Sequence, residues 1–545
     1  MKLKFFLTSP TTIILGLLFG FVNPAVAQRP VAILYDNDVH CHIDGYRTLA
    51  WLKDSLTRQG STVWTVSSGD YVSGAPEGVF DQGRSIITLM NAVGYDCVTF
   101  GNHEFDYSID MLQEHVRLTK AHPVCCNFKP LPCKRSTMET ADYFILGDGL
   151  QKTAFVGVTT PDSPTSSTPA HFQDDDGCWC YHFGGDSVAL MVQRAVDNAR
   201  KEGARFVVLL SHLGDESDGA ITSTELIALT RGIDVVLDGH AHNTIAHRFV
   251  RNADGDGVLL SSTGSHFRNI GLLTLYEDGG VATSLYDTKR LSSMEHLLPG
   301  GTADSVARVI TRIRDRYDAI GKREIGYNEK AMLSMDNDDR RICRMGECTL
   351  GNLCADALRH ASGADVAVVN GGGIRSDLPA GTLRYNDIYA VLPFESDIYV
   401  ATVNGQSLLD ALEWAYSKAP EEAGSFLQVS GMRIELDLSI PAQVSHDANG
   451  IFLRVEGPRR VKKVEIYNSQ TKEYEPIDPE RNYRMAGSSY VLLQQGDGNR
   501  FEGMVTDDTP VGKDTDILER YIQYLGGRIP ADYELDKQRI IIRDF

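Results

Sequence analysis

The chain has 545 residues, 42% hydrophobic and 23% charged, the balance of a globular protein with too much chain for one core, so two large domains are expected. Its net charge of −20 argues against polymeric nucleic acid or an anionic membrane as partner. The same charge repels a phosphate substrate, so any phosphate pocket must carry its own cations.

The first residues read as a signal peptide over 1–27. Lys2 and Lys4 precede an apolar stretch from Ile13 to Val22, and Ala25-Val26-Ala27 is an A-x-A cleavage site. The stretch is too short for a membrane span, and no later run approaches about 18 apolar residues. The end, IIIRDF, offers no hydrophobic tail to exchange for a lipid anchor. Export without a stable membrane anchor is expected, to the periplasm first and to the medium as the alternative. The ten cysteines are even in number and all follow the leader, so disulfides are the default. Cys343 and Cys348 flank a short loop and are expected to pair. Cys125-Cys126 and Cys178-Trp179-Cys180 are too close for internal bridges and are expected to bridge elsewhere.

Residues 28–300 alternate short apolar runs with helical patterns. The runs are Val31 to Tyr35, Thr62 to Ser68, Cys97 to Phe100, Phe206 to Ser211 and Asp234 to Gly239, each β-branched or aromatic and bounded by turn residues. The stretch Ser187 to Gly203 has helical spacing and ends on glycine. Strand alternating with helix predicts an α/β layered domain. Residues 301–335 form a linker whose core, Thr302 to Gly321, is a charged helix bridging the domains. Residues 336–545 form the second domain, with a helix from Leu350 to Ser362, a strand from Asp365 to Asn370 and β-rich segments beyond.

The polar residues cluster where the strands of the first domain end. Asp36-Asn37-Asp38-Val39-His40 follows the first run, Ser68-Gly69-Asp70 ends the second, and Gly101-Asn102-His103-Glu104-Phe105-Asp106 follows the third. Ser211-His212 ends the fourth, and Asp238-Gly239-His240-Ala241-His242 the fifth. In an open α/β sheet the carboxyl edge is where ligands bind. Imidazole suits zinc, and carboxylate and amide oxygens suit manganese or magnesium, so the set fits two divalent ions with Asp70 bridging them.

These blocks, DVH, GDYVSG, GNHEFD, SHLGD and DGHAH, resemble in order those of the calcineurin-like metallophosphoesterases. With the exported chain and second domain, the pattern is similar to that of the bacterial exported 5′-nucleotidase family. The resemblance implies an N-terminal four-layer α/β/β/α metallophosphoesterase sandwich, a bridging helix and a C-terminal α/β nucleotide-binding domain. It implies one metal on Asp38, His40, Asp70 and His242 and a second on Asp70, Asn102, His212 and His240. The ions are zinc, manganese, cobalt or magnesium. His103 then faces the substrate, oriented by Asp106, which lies near a helix start where Ser108 is a plausible N-cap. Cys41 stands where the family has glycine and should alter packing beside the first metal. His42 and the histidines at 115, 122, 171, 182, 247, 266, 296, 360 and 446 carry no expected role. Asn252 to Gly257 resembles the start of a calcium loop, but its twelfth position is Thr263 rather than Glu, and a hairpin turn is expected.

In the second domain the segment Cys343 to Leu353 resembles the family's stretch carrying a substrate-facing arginine, here Arg344, with Arg340 a weaker candidate. Asn370-Gly371-Gly372-Gly373-Ile374-Arg375 resembles its glycine-rich loop and second arginine, which implies substrate contacts from Asn370, Gly372 and Arg375. Arginine forks onto phosphate and supplies the charge the acidic chain lacks. Phe394 matches the aromatic that stacks on the nucleobase, and Asp497 in Gly496-Asp497-Gly498 matches the ligand of the ribose hydroxyls. Tyr490 is the candidate for a second aromatic, one residue further from Gly-Asp-Gly than the family pattern. Gln495 stands where a glycine is common.

The implied activity is hydrolysis of nucleoside 5′-monophosphates to nucleoside and phosphate, with nucleotide sugars or diphosphates as further substrates. The alternatives are a 2′,3′-cyclic nucleotide phosphodiesterase with 3′-nucleotidase action, against which Asp106 argues, and a non-catalytic nucleotide-binding surface protein. A sulfur-oxidation thiosulfohydrolase is a more distant relative of the same fold.

Overall fold

A computed structural model describes residues 30–543 apart from 136, 175, 217–219, 339 and 534–537. The expected signal peptide lies outside the described residues. By its contacts the chain forms two units. One runs to Ser163 and resumes over His171–Asp315, and the other takes Pro164–Ala170 and everything from Arg316 onward.

The first unit is built on two six-stranded sheets. The first holds β1 (Val31–Asp36), β2 (Thr62–Ser67) and β3 (Cys97–Val98), paired in parallel in that order. The second holds β4 (Phe206–His212) and β5 (Val235–Leu237), also parallel, beside the strands Thr153–Thr159 and Gly257–Thr263. A parallel strand covered on both faces reads as a continuous apolar run. In β1, Val31, Ile33 and Tyr35 join Phe206, Val208, Leu210, Val235 and Leu237 in one buried cluster drawn from both sheets. The alternate residues Ala32 and Leu34 join Leu49, Trp51, Ile86 and Met90 of helices Asp44–Arg58 and Arg84–Val93. On the second sheet Val207 and Leu209 meet Val192, Ala195 and Val196 of helix Val188–Lys201. The order helix, sheet, sheet, helix is the expected four-layer sandwich.

The third strand is shorter than Cys97 to Phe100, because Gly101 and the residues around it turn into the site. The strand Thr153–Thr159, buried throughout, is not predicted from the sequence, since its threonines and Gly157 blur the apolar run. Asn252 to Gly257 does form a hairpin turn, joining the antiparallel strands Thr244–Arg251 and Gly257–Thr263.

The second unit carries a six-stranded sheet in which Val366–Asn370 lies between Leu427–Ser430 and Asn482–Ser488. Helices Thr349–Ser362 and Asp514–Tyr524 supply one apolar cluster and helix Gly405–Ala415 another. The helix Thr302–Gly321 is present with the expected bounds, and the division between units falls inside it.

Cys343 and Cys348 form the expected disulfide, and Cys180 bridges to Cys133. The expectation is corrected for Cys125, Cys126 and Cys178: the first two are free, buried thiols, as are Cys41, Cys97 and Cys354, and Cys178 is free and exposed. Cys125 and Cys126 sit in apolar clusters and behave as small hydrophobes rather than bridge partners.

Candidate active site

The loops after β1 to β5 bring the residues named above together. Asp38, His40, Asp70 and His242 place one ligand atom each within 4.8 Å of one another. His40 and His242 turn their Nε2 atoms toward each other at 3.0 Å. Nε2 of His242 lies 3.4 Å from Asp38 Oδ1, and Nε2 of His40 lies 3.8 Å from Asp70 Oδ2. Alongside, Nε2 of His212 approaches Asp70 Oδ2 at 3.1 Å, and Nδ1 of His240 approaches Asn102 Oδ1 at 3.0 Å. Asp70 therefore belongs to both groups.

The tautomers are set from behind. Nδ1–H of His40 donates to the carbonyl of Ser73 at 3.1 Å, and Nδ1–H of His212 donates to the carbonyl of Ser68 at 2.7 Å. Each ring then presents Nε2 to the centre, the usual arrangement of a metal-ligating imidazole. For all its closeness to Asp70, the buried Nε2 of His212 makes no directed hydrogen bond. Asp38 and Asp70 are 0% and 2% exposed, and histidines are the cationic partners the structure gives them. Burial would raise the Asp38 carboxyl, but His242 and His212 bring it below its ordinary range. Burial likewise opposes charge on His212, yet Asp70 and Asp38 raise it to about 10. Buried carboxylates in this number demand positive charge, and oxygen and imidazole donors suit a divalent cation. The donor set fits a dinuclear metal centre.

The backbone around the centre is strained. Asp38, His40, Asp70, His240 and His242 all have left-handed φ, between 48° and 75°. Each such residue costs about 1–3 kcal/mol and persists only where its surroundings fix it. Glu104 is one of the fixing groups. Its buried carboxylate accepts the N–H groups of Asp70 at 2.7 Å, Tyr71 at 2.8 Å and Gly101 at 2.6 Å. Burial, then the charge of Asp70, raise its carboxyl to about 7. At Gly101 a Cβ would stand 2.1 Å from Asp70 Oδ1, so only glycine lets the loops approach this closely.

His103 is held at two points. Its Nδ1 lies 2.7 Å from Asp106 Oδ2, and its N–H donates to Asp70 Oδ1 at 2.9 Å. Ser108 caps the helix Ile109–Leu118 through the N–H of Met111, as expected. Cys41 is fully buried, with its sulfur close to Gly78, so its role here is packing. No sequence signal singles out Glu104, nor His266, whose ring stacks on His42 at 4.2 Å and meets His40 edge-on at 5.6 Å.

The second unit gathers its expected residues around the turn Gly371–Gly373. Asn370 donates Nδ2–H to Asp497 Oδ2 at 3.0 Å. The Arg375 guanidinium lies 5.8 Å from the centre of the Phe394 ring, a cation–π distance. Arg344 has a buried Nε that makes no hydrogen bond. Burial, then Arg341 and Arg375, push its guanidinium well below the ordinary arginine range, against the pull of Asp497. A buried guanidinium crowded by two other arginines is a strain that an anionic ligand relieves. Gly372 takes its place through an N–H bond to the carbonyl of Gly424 at 3.0 Å. Arg340 is paired instead with Asp336 at 2.7 Å on the surface. The Tyr490 hydroxyl accepts the N–H of Asp497 at 3.1 Å.

A model of the calcineurin-like phosphoesterases matches residues 33–244, and a model of the 5′-nucleotidase C-terminal domain matches residues 324–506. The chain is 26% identical over 568 residues to the 5′-nucleotidase of Bos taurus, covering 93% of this chain and 91% of that one. It is 26% identical over 580 residues to the 5′-nucleotidase of Homo sapiens, covering 96% and 93%. Its fold is similar to that of a 5′-nucleotidase precursor from Thermus thermophilus, with a TM-score of 0.75 and 23% identity over 95% of this chain and 100% of that one.

Proposed function

The chain belongs to the 5′-nucleotidase family of metallophosphoesterases, and from that premise we propose that it hydrolyses nucleoside 5′-monophosphates to nucleoside and phosphate. The observation that carries the reading is the convergence of Asp38, His40, Asp70 and His242 beside the buried Nε2 of His212. Asp38, His40, Asp70 and His242 would hold one divalent ion, and Asp70, Asn102, His212 and His240 the other. Zinc, manganese, cobalt and magnesium all suit these donors. When bound, the ions supply Lewis-acid charge at the phosphoryl group and lower the pKa of water.

The remaining roles fall to the chain's own groups. Asp106 orients the His103 imidazole so that Nε2 can donate to a phosphoryl or leaving oxygen, as general acid–base chemistry requires. Arg344 and Arg375 bind the anionic part of the substrate. Asn370 and the backbone at Gly372 shape the loop that receives it. Asp497 accepts hydrogen bonds from the ribose hydroxyls, and Phe394 offers a π face to any base. Nucleotide sugars and diphosphates share the same anionic and ribose groups and are proposed as further substrates.

The same proposal sets the enzyme in the periplasm, on the strength of residues 1–27. Among the described residues no helix is long and apolar enough to cross a membrane. The test is phosphate release from a panel of 5′-nucleotides, 3′-nucleotides and 2′,3′-cyclic nucleotides by metal-loaded protein. Preference for 5′-monophosphates supports the reading. Turnover of 2′,3′-cyclic AMP without 5′-AMP contradicts it.

A further inference from the structure

Asp497 has left-handed backbone angles, φ 53° and ψ 24°, inside the turn Gly496–Gly498. Aspartate enters that region more readily than most side chains, at a cost that its surroundings offset. Three side chains do so here, one at each polar group of the residue. Its N–H donates to the Tyr490 hydroxyl oxygen at 3.1 Å. Its carbonyl accepts the indole N–H of Trp414 at 3.0 Å. Its carboxylate accepts the amide of Asn370 at 3.0 Å. Burial raises the Asp497 carboxyl above its ordinary range, while Arg344, Asn370 and Tyr490 favour its charge.

Tyr490 is itself held in place. It lies in the helical turn Ser489–Leu492, and its hydroxyl reaches the carbonyl of Thr165 at 3.4 Å. Its ring covers Gly496, where a Cβ would stand 2.3 Å from ring carbon Cε1. The phenol therefore comes to Asp497 with its ring against the turn and its oxygen on the strained amide. The extra residue between Tyr490 and Gly-Asp-Gly sets this spacing apart from the family pattern.

We propose that Tyr490 is a positioning residue for sugar recognition, whose hydroxyl holds the Asp497 backbone so that the carboxylate meets the ribose hydroxyls of a nucleotide. This rests on the nucleotidase reading above. It gives the hydroxyl, rather than the ring face, the larger part in binding. Phenylalanine keeps the ring but leaves the Asp497 N–H without its acceptor, so the two residues are not equivalent at this position.

The test compares steady-state kinetics on 5′-AMP and on 2′,3′-dideoxy-AMP, which lacks the hydroxyls Asp497 would bind. Full-length, metal-loaded wild type is set against Tyr490→Phe, Asp497→Asn and the double variant, with Tm confirming that each is folded. Tyr490→Phe is expected to raise KM for 5′-AMP about five- to tenfold with kcat nearly unchanged. It should leave KM for the dideoxy substrate where it was, and add nothing in the Asp497→Asn background. Wild-type kinetics from Tyr490→Phe would overturn the proposal, as would equal losses on both substrates. If wild type releases no phosphate from 5′-AMP, the nucleotidase reading falls and the proposal with it. A functioning wild type with an unaffected Tyr490→Phe removes the proposal alone.

Discussion

Asp106 Oδ2 lies 2.7 Å from Nδ1 of His103, three positions earlier on the same turn. The contact fixes the imidazole plane and leaves Nε2 as the working nitrogen. His103 stays outside the proposed ligand sets while its N–H holds the Asp70 carboxylate. Removing the imidazole should therefore remove catalysis and spare metal binding. His103→Ala is expected to lower kcat by about 10²–10⁴-fold with full metal content by elemental analysis. Asp106→Asn should cost about tenfold. Loss of metal from His103→Ala would show His103 to be a ligand.

Glu104 ties four backbone N–H groups of the site, those of Asp70, Tyr71, Val72 and Gly101, to one buried carboxylate. Each buried donor left unpaired costs about 1–3 kcal/mol. Glu104→Ala should lower stability by at least about 4 kcal/mol in denaturant titration and weaken metal retention against a chelator. Glu104→Gln keeps part of the acceptor capacity and should fall between. An Ala variant as stable as wild type would contradict the bracing role.

Arg344 and Arg375 are the positive charges proposed for the substrate anion. A charge-assisted hydrogen bond contributes about 1.5–3 kcal/mol, so Arg375→Ala should raise KM about 10- to 100-fold. Arg375→Lys should not restore it, because an ammonium can neither fork onto the anion nor spread over the Phe394 face in the same way. Full rescue by lysine would mean that charge alone is required.

His115 gives a pH signature of stability. It is 3% exposed, and its Nε2–H donates to the carbonyl of Gln82 at 2.8 Å. Burial lowers its pKa to about 4 from an ordinary 6.5. Above pH 6.5 both folded and unfolded chains hold it neutral. As pH falls from there toward 4, only the unfolded chain takes the proton, so stability is lost, by about 3 kcal/mol over the window. His115→Gln keeps a donor and does not titrate. Its Tm should fall less than that of wild type between about pH 7 and pH 5, and parallel profiles would contradict the assignment.

The candidate ligands were legible because each closes a strand or follows it within a few residues, and that edge of an α/β sheet is a site by topology. The helix Thr302–Gly321 was legible from its periodicity and the preceding Pro-Gly-Gly. The strand Thr153–Thr159 was not, since polar threonines face the interior there. Glu104 stood in plain view inside GNHEFD, but nothing local signals that its carboxylate turns back onto Asp70 and Gly101. Trp414 could not be read as a partner of Asp497, because only the tertiary fold brings residues so far apart together. The state of Cys125 and Cys126 does not follow from compartment alone; in the folded chain apolar packing decides it.

With metal bound, the Asp38–Asp70 centre is proposed to hydrolyse nucleoside 5′-monophosphates. The most direct measurement is phosphate release from 5′-AMP by full-length protein, first stripped by chelator and then reloaded with manganese or zinc. The expected result is activity that is lost on stripping, returns on reloading, and is absent from an Asp70→Ala variant. Metal-loaded wild type that releases no phosphate from 5′-AMP, or activity unchanged in Asp70→Ala, would contradict the account.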